Sequence, residues 1–181
     1  QAWFKVPESL KFSINGELAP GVGAKDIILH IIGMIGVDGA LYQAMEFTGS
    51  TIERLDMAGR MTICNMAIEA GGKSGIIAVD DVTRAYMKDR TERPWTEYFS
   101  DANAEYAKVY EIDAASIVPT VAFPHLPSNT RPVAEARDIT IDQVVIGSCT
   151  NGRYEDMAEA AAVIKGHKVH PNVRLIVIPA T

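Results

Sequence analysis

The sequence predicts an α/β protein in which one α/β domain is followed by the start of a second. Three observations support this fold class. Apolar and polar residues alternate over residues 10–14 before a helical pattern begins, a strand–helix–strand pattern closes the chain over residues 144–178, and a segment with four prolines, residues 119–132, lies between them. We therefore predict a first domain over residues 1–118, a proline-rich connector over 119–138 and the beginning of a second domain over 139–181.

The first domain opens with a half-buried strand formed by Leu10, Phe12 and Ile14. Asn15-Gly16 predicts a two-residue hairpin turn, with the return strand beginning at Glu17. Isoleucines at helical spacing predict a helix over residues 24–35 that ends at Gly36, a typical C-terminal capping residue.

The remaining elements of the first domain follow the same patterns. Residues 44–48 predict a short strand, and residues 51–70 predict one or two helices. A buried strand is expected over 76–79 and a helix over 81–90, with Asp80 as its N-cap. A strand is expected over 106–112.

The second domain begins with an unbroken β-branched run, Val144–Ile146, followed by a helix over 154–165 and a strand over 173–178. Consecutive strands joined through a helix pair in parallel with a right-handed crossover. The sequence therefore predicts a parallel βαβ unit.

Composition narrows the classes of partner. The 181 residues are 48% hydrophobic and 22% charged with a net charge of −6, so no broad basic surface indicates nucleic-acid binding. The longest apolar stretch, residues 27–37, is interrupted by His30 and is too short to span a bilayer. Two cysteines do not make a disulfide framework, and reduced thiols are typical of a cytoplasmic protein.

The loop after Ile146 carries the main chemical signal. Cys149 is predicted at the carboxyl end of a strand and next to a helix N-terminus, where unpaired backbone N–H groups stabilise a thiolate. Ligands of open α/β sheets bind at this end of the strands. For a lone cysteine the commoner alternative is a small buried hydrophobe.

Residues around both cysteines resemble the aconitase superfamily. VIGSCTN at residues 145–151 with YEDM at 154–157 is similar to its first cluster-ligand segment, and GRMTICNMAIEAG at 59–71 is similar to a second signature. Within the superfamily the whole chain is most similar to the large subunits of 3-isopropylmalate dehydratase and homoaconitase-like relatives. The resemblance implies aconitase-like βα domains.

The resemblance also implies a hydro-lyase with a [4Fe–4S] cluster, acting on a hydroxy-dicarboxylate or tricarboxylate together with a separate small subunit. Its cofactor-binding residues would be Cys149, a cluster ligand, and Asn151, which would bond cluster sulfur or shape the loop. Its catalytic residues would be Asn65, which faces the cluster, and Glu69, which lies near the hydroxyl bound there. Such a reaction needs a Lewis acid on the hydroxyl and positioned groups for proton transfer.

The chain also departs from the family pattern. The family holds its cluster with three cysteines, and only Cys149 has a counterpart here, since the other pair would lie beyond Thr181. One thiolate cannot hold such a cluster. We therefore expect an internal fragment of a longer large subunit that is inactive and without a cluster on its own.

Other interpretations of these residues stay open. Met57, Met61, Cys64 and Ile68 fall at helical spacing, which predicts a core stripe and a structural role for Cys64. Asn65 and Glu69 would share one helix face, which could be merely solvated. For the function, the alternatives are the large subunit of homoaconitase or a dialkylmalate dehydratase and, in a different class, a cluster-free interaction or RNA-binding module.

Overall fold

A computed structural model of the protein describes residues 3–180. The chain divides into two compact units, the first ending at Val133 and the second beginning at Ala134. The elements of the first unit are β1 (Ser9–Asn15), α1 (Ala24–Ile35), β2 (Ala44–Thr48), α2 (Ser50–Glu53), α3 (Met57–Asn65), β3 (Ser74–Ile76), α4 (Asp81–Lys88), β4 (Lys108–Asp113), β5 (Thr120–Ala122) and β6 (Thr130–Pro132). Those of the second are β7 (Gln143–Ile146), α5 (Tyr154–Ile164) and β8 (Arg174–Val177).

The first unit is built on a parallel sheet with strand order β3-β2-β1-β4. The register places Phe12 of β1 opposite Phe47 of β2 and Tyr110 of β4, and its ring stacks on both at centroid distances of 5.5 and 4.8 Å. Phe12 is fully buried, and burying a side chain of this size stabilises the fold by about 1.5–3 kcal/mol. The predicted α/β class is confirmed.

Helix α1 matches its prediction at both ends. Its apolar face buries Ile27, Ile28, Ile31 and Ile32 in the core that also holds side chains of β1 and β2, and the chain leaves it at Gly36 with φ +82°. No helix formed by residues 3–180 is long and apolar enough to cross a lipid bilayer.

The predicted hairpin at Asn15-Gly16 is wrong, because β1 pairs in parallel with β2 and β4 instead of with a return strand. Gly16 does take the positive φ of a turn, +98°. However, contacts with α2 hold that turn: Ser50 N donates to Asn15 Oδ1 at 3.0 Å, and Thr51 Oγ1 donates to Gly16 O at 2.8 Å. Long-range packing therefore decides where the chain goes after the turn.

The buried strand predicted over 76–79 is displaced. Strand β3 is Ser74–Ile76 and lies at the edge of the sheet, with Ile76 47% exposed. Gly75 of β3 allows this strand to approach α3 closely, because a Cβ at that position would lie 2.6 Å from Cys64 Cα. Helix α3 therefore lies directly against this strand.

The predicted core stripe along α3 is wrong. The buried side chains of α3 and the turn that follows it are those of Ala58, Arg60, Thr62, Ile63, Met66, Ala67 and Ala70, whereas Ile68 is 65% exposed. Ala67 faces β3, where a Cβ on Gly75 would lie 3.2 Å from Ala67 Cβ. In addition, the helix tightens to a 3-10 helix over Met66–Ala70. With three residues per turn, this segment does not continue an apolar stripe that repeats every 3.6 residues.

Helix α4 begins where predicted but ends at Lys88, short of the expected residue 90. The Asp80 carboxylate accepts from Thr83 N at 3.1 Å, which confirms the N-cap. It also pairs with both terminal nitrogens of Arg60 at 2.6 Å each. Arg60 is 3% exposed, and its guanidinium also donates to the backbone carbonyls of Glu53 and Leu55. This ion pair joins α4 to α3.

The proline-rich segment expected to be an extended connector forms an antiparallel ribbon, β5–β6. The ribbon packs on α1: Thr120 N donates to Asp26 Oδ1 at 2.7 Å, and a Cβ on Gly33 would lie 2.0 Å from Thr130 Oγ1. Proline is tolerated there because it has no backbone N–H, and some N–H groups of an edge strand are not needed for strand pairing. The boundary between compact units thus falls after Val133, while the division at 118 and 138 into aconitase-like domains stays a prediction.

The second unit has the predicted parallel βαβ arrangement. Strand β7 pairs in parallel with β8 over four residue pairs, from Gln143 with Arg174 to Ile146 with Val177, and α5 connects them. The carboxyl end of β7 and the start of α5 therefore lie on either side of one loop, residues 147–153.

Candidate functional site

Cys149 lies in the loop between β7 and α5, which we call the cysteine loop (residues 147–153). It follows the end of β7 by three residues, precedes the first residue of α5 by five, and its side chain is exposed. The sequence predicted this position at the carboxyl end of a strand and before a helix. The alternative of a buried structural cysteine does not apply to Cys149.

Two glycines give the cysteine loop its path. Gly147 has φ +117°, and a Cβ there would lie 1.9 Å from Ile178 O. Gly152 is buried, and its Cβ would lie 2.9 Å from Ser148 O. Since backbone occupies both spaces, side chains at these positions would displace the loop.

Hydrogen bonds hold the loop to the first turn of α5. Asp156 Oδ2 accepts from Arg153 N at 2.9 Å, which is one half of a capping box, and Asp156 Oδ1 accepts from Asn151 Nδ2 at 2.8 Å. Within the loop, Asn151 N donates to Ser148 Oγ at 3.0 Å, and Arg153 Nη1 donates to Thr150 O at 3.0 Å. The loop around Cys149 is thus ordered by its own residues together with Asp156 of α5.

The Asn151 side chain points inward. Its Nδ2 is committed to Asp156, and its Oδ1 is buried without a hydrogen-bond partner among residues 3–180. The network fixes this amide orientation, because the carboxylate of Asp156 requires a donor. Asn151 is therefore tied to a side chain and does not itself cap the helix backbone.

The donor chemistry of the loop suits iron in part. An exposed cysteine beside a helix N-terminus offers a soft thiolate ligand. No group of three or more His, Cys, Asp or Glu side chains within the described part of the chain is arranged to hold a metal ion. Residues 3–180 can therefore supply Cys149 as one ligand, and a complete ligand set needs further thiolates.

Asn65 and Glu69 lie at the end of α3 and in the 3-10 helix that follows, and both side chains are exposed. Two side chains four positions apart differ by about 40° in direction around the axis of an α-helix. In a 3-10 helix the same spacing separates their directions by about 120°. The two side chains are therefore splayed around the helix end more than the predicted shared face implies.

Cys64 differs from Cys149 in its surroundings. It lines a cavity of about 270 Å³ together with Met57, Met61 and Ile76. Burial raises the pKa of its thiol to about 11, and the positive charge of Arg60 offsets part of that effect. The thiol is protonated at neutral pH, which agrees with the structural role predicted for it.

The four predicted site residues divide between the two units. Cys149 and Asn151 share the cysteine loop of the second unit, and Asn65 and Glu69 share one helix end of the first. The sequence did not lead us to include Asp156 in the site. The signal was present, since an acid at the third helical position is half of a capping box.

A comparison with protein-family models matches the chain to "Aconitase family (aconitate hydratase)" over residues 1–139 and 131–181. Both the cysteine loop and the segment with Asn65 and Glu69 lie inside the matched ranges.

Several curated relatives of the chain are named as large subunits of 3-isopropylmalate dehydratase. The chain is 64% identical over 181 residues to that of Syntrophus aciditrophicus and 62% identical over 181 residues to that of Heliobacterium modesticaldum. It is 60% identical over 186 residues to that of Aquifex aeolicus. Each alignment covers 100% of this chain but 43% of the relative, so the chain spans less than half the length of these proteins.

Proposed function

The chain belongs to the aconitase family, and on that premise we propose that it is part of the large subunit of a 3-isopropylmalate dehydratase. The reaction would be the interconversion of 2-isopropylmalate and 3-isopropylmalate by dehydration and rehydration, a step of leucine biosynthesis. The relatives that carry this name are about 60% identical to the whole chain. The exposed Cys149 at the carboxyl end of β7 is the observation on which the proposal rests.

In this proposal Cys149 supplies one thiolate to a [4Fe–4S] cluster, and cysteines of the remaining polypeptide supply the others. The cluster, when bound, contributes a Lewis acid that activates the substrate hydroxyl as a leaving group. Asn151 serves the cluster by shaping the loop, because its Nδ2 is already bonded to Asp156.

The first unit would contribute the group that protonates the leaving hydroxyl and a group that orients the substrate, whereas the base that removes the proton from the adjacent carbon would come from outside residues 3–180. Glu69 has an exposed carboxyl that can hold the proton needed when the hydroxyl leaves as water, and can take it back on rehydration. Asn65, at the same helix end, can orient a carboxylate or hydroxyl of the substrate through its amide. Both roles require the remainder of the subunit to enclose the substrate.

The proposal includes partners and a location. The word "large" in the names of the relatives implies a small subunit, which would complete the substrate site. Two cysteines outside any disulfide fit a reducing compartment, so we place the protein in the cytoplasm. A net charge of −6 gives no support to an RNA-binding module.

The test is a turnover assay of the full-length large subunit, loaded with its cluster and combined with the small subunit. We expect isopropylmalate to be converted with a kcat/KM at least about tenfold above that for homocitrate-type tricarboxylates, since one apolar group in a fitted pocket contributes about 10–200-fold. Preference for the tricarboxylate would assign a homoaconitase instead. Conversion of dialkylmalates alone would assign a dialkylmalate dehydratase, and a cluster-loaded complex that converts none of the three classes would refute the hydro-lyase proposal.

A further inference from the structure

Asp156 connects the cysteine loop to α5 through both of its carboxylate oxygens. One oxygen accepts from the backbone N–H of Arg153, the last residue before the helix, and the other accepts from the side chain of Asn151. The first contact belongs to helix capping. The second reaches into the loop, to a residue two positions after Cys149.

The contact with Asn151 sets more than the position of the loop. A carboxylate only accepts hydrogen bonds, so the Asn151 amide must present Nδ2 to Asp156 and turn Oδ1 into the interior. A buried acceptor without a partner costs free energy, and the amide keeps this orientation because the charge-assisted bond to Asp156 outweighs that cost. Asn151 N meanwhile donates to Ser148 Oγ, so the residue is held at two points on either side of Cys149.

We propose that Asp156 is a positioning residue for the Cys149 thiolate and that it acts through Asn151. The inference rests on the proposed cluster function, in which Cys149 is an iron ligand. In this role Asp156 would not itself be an iron ligand. It fixes the loop so that the Cys149 sulfur has one position before iron binds. The loop therefore loses little conformational entropy when Cys149 binds iron.

Two substitutions separate this role from helix capping. Asp156→Asn keeps the size of the side chain and one acceptor for Arg153 N, but its amide group places a donor where Asn151 Nδ2 needs an acceptor. Glu155→Gln is the matched control, because it removes one negative charge from the same helix turn on an exposed side chain. A loss caused only by the helix dipole would affect both variants alike.

The first measurement is hydrogen exchange of residues 147–153 in the full-length large subunit without cluster. We expect faster exchange at the Asn151 amide in Asp156→Asn, and wild-type exchange in Glu155→Gln. This readout needs no iron, so it tests the positioning contact even if the proposed cluster function fails. Unchanged exchange in Asp156→Asn would overturn the proposal.

The second measurement is the rate at which a chelator removes iron from the reconstituted full-length subunit. We expect removal to be about 10–100-fold faster in Asp156→Asn, the usual effect of losing a contact behind a metal ligand, and unchanged in Glu155→Gln. Asn151→Ala should have a similar effect, and the double variant should be no worse than either single one. Additive effects of the two substitutions would contradict action through Asn151. If the wild-type subunit binds no iron, the cluster proposal fails independently of the exchange result.

Discussion

The two cysteines of this chain occupy contrasting surroundings, which decide their chemistry. Cys149 is exposed in a loop beside a helix N-terminus, and Cys64 is packed against β3 with its pKa raised to about 11 by burial. At pH 8 only about one part in a thousand of the Cys64 thiol is ionised, and the thiolate is the reactive species.

Alkylation should therefore discriminate between them. In the cluster-free protein at pH 8, we expect Cys149 to react with iodoacetamide on the order of 10²-fold faster than Cys64, because Cys64 is both protonated and partly covered. The Cys64 rate should rise about tenfold per pH unit until pH approaches 11. Peptide mass spectrometry after timed quenching measures both rates, and Cys64→Ala is the control. Earlier labelling of Cys64 would contradict the structure.

At the residue scale the sequence predicted part of this site. The β-branched run ending at Gly147 and the helical pattern from Tyr154 were enough to place Cys149, since both signals are local. The partners of Asn151 were not predictable in the same way. Whether an amide caps a backbone, faces solvent or bonds to Asp156 depends on side-chain orientations that many loop conformations would permit.

At the scale of elements, the ion pair between Arg60 and Asp80 joins α3 to the start of α4. Arg60 is 3% exposed, while the Asp80 side chain is 36% exposed. A hydrogen bond from Arg60 lowers the pKa of Asp80 to about 2, against the opposing effect of burial. Removing the carboxylate leaves a buried guanidinium without its counter-ion.

We expect Asp80→Asn to lower the free energy of unfolding by about 1–3 kcal/mol, less than for a fully buried pair because water screens Asp80. Asparagine caps helices as well as aspartate does, so the loss reports the ion pair. The control Asp81→Asn alters the next residue, which is fully exposed, and should have little effect. Urea denaturation of the three proteins measures the difference, and equal midpoints would contradict the contribution of the pair.

The same pair gives a pH dependence of defined sign. The pKa of Asp80 is lower in the folded protein than the ordinary 3.8, so its stabilisation is complete above about pH 4–5 and is lost as pH falls toward about 2. Between pH 6 and pH 3 the stability difference between wild type and Asp80→Asn should shrink. A stability difference between the two proteins that grows on acidification would contradict the lowered pKa of Asp80.

Elements governed by local sequence were predicted better than those governed by contacts. Helix α1 was predicted from the helical spacing of its isoleucines and from the glycine that ends it. The βαβ unit was predicted from its strand–helix–strand pattern, because strands joined through a helix pair in parallel. The buried face of α3 was not predicted correctly, because Gly75 lets β3 approach Cys64 and Ala67 closely and because the helix changes to 3-10 geometry over Met66–Ala70. The ribbon β5–β6 was missed because its stability comes from α1, more than 80 residues earlier along the chain, through the bond between Thr120 and Asp26.

At the scale of the whole molecule, the proposed catalytic and cofactor residues fall in separate compact units of a chain that spans 43% of its relatives. If Glu69 transfers a proton and does not bind iron, Glu69→Gln in the full-length subunit should keep the wild-type iron content. Its kcat should fall by about 10²–10⁴-fold, the usual contribution of a positioned acid or base. Glu53→Gln, another exposed acid of the same unit, is the control. Loss of iron in Glu69→Gln would show that the side chain supports the cluster site.

The most direct test of the cluster assignment is the iron content of two cysteine variants of the full-length large subunit after reconstitution. Cys149→Ser should bind no stable cluster and show no hydro-lyase activity, because a hydroxyl is a poor substitute for a soft thiolate on iron. Cys64→Ala should bind iron like the wild type and lose only packing stability, since its thiol lines a cavity and stays protonated. Iron retained in Cys149→Ser and lost in Cys64→Ala would contradict the assignment of both cysteines.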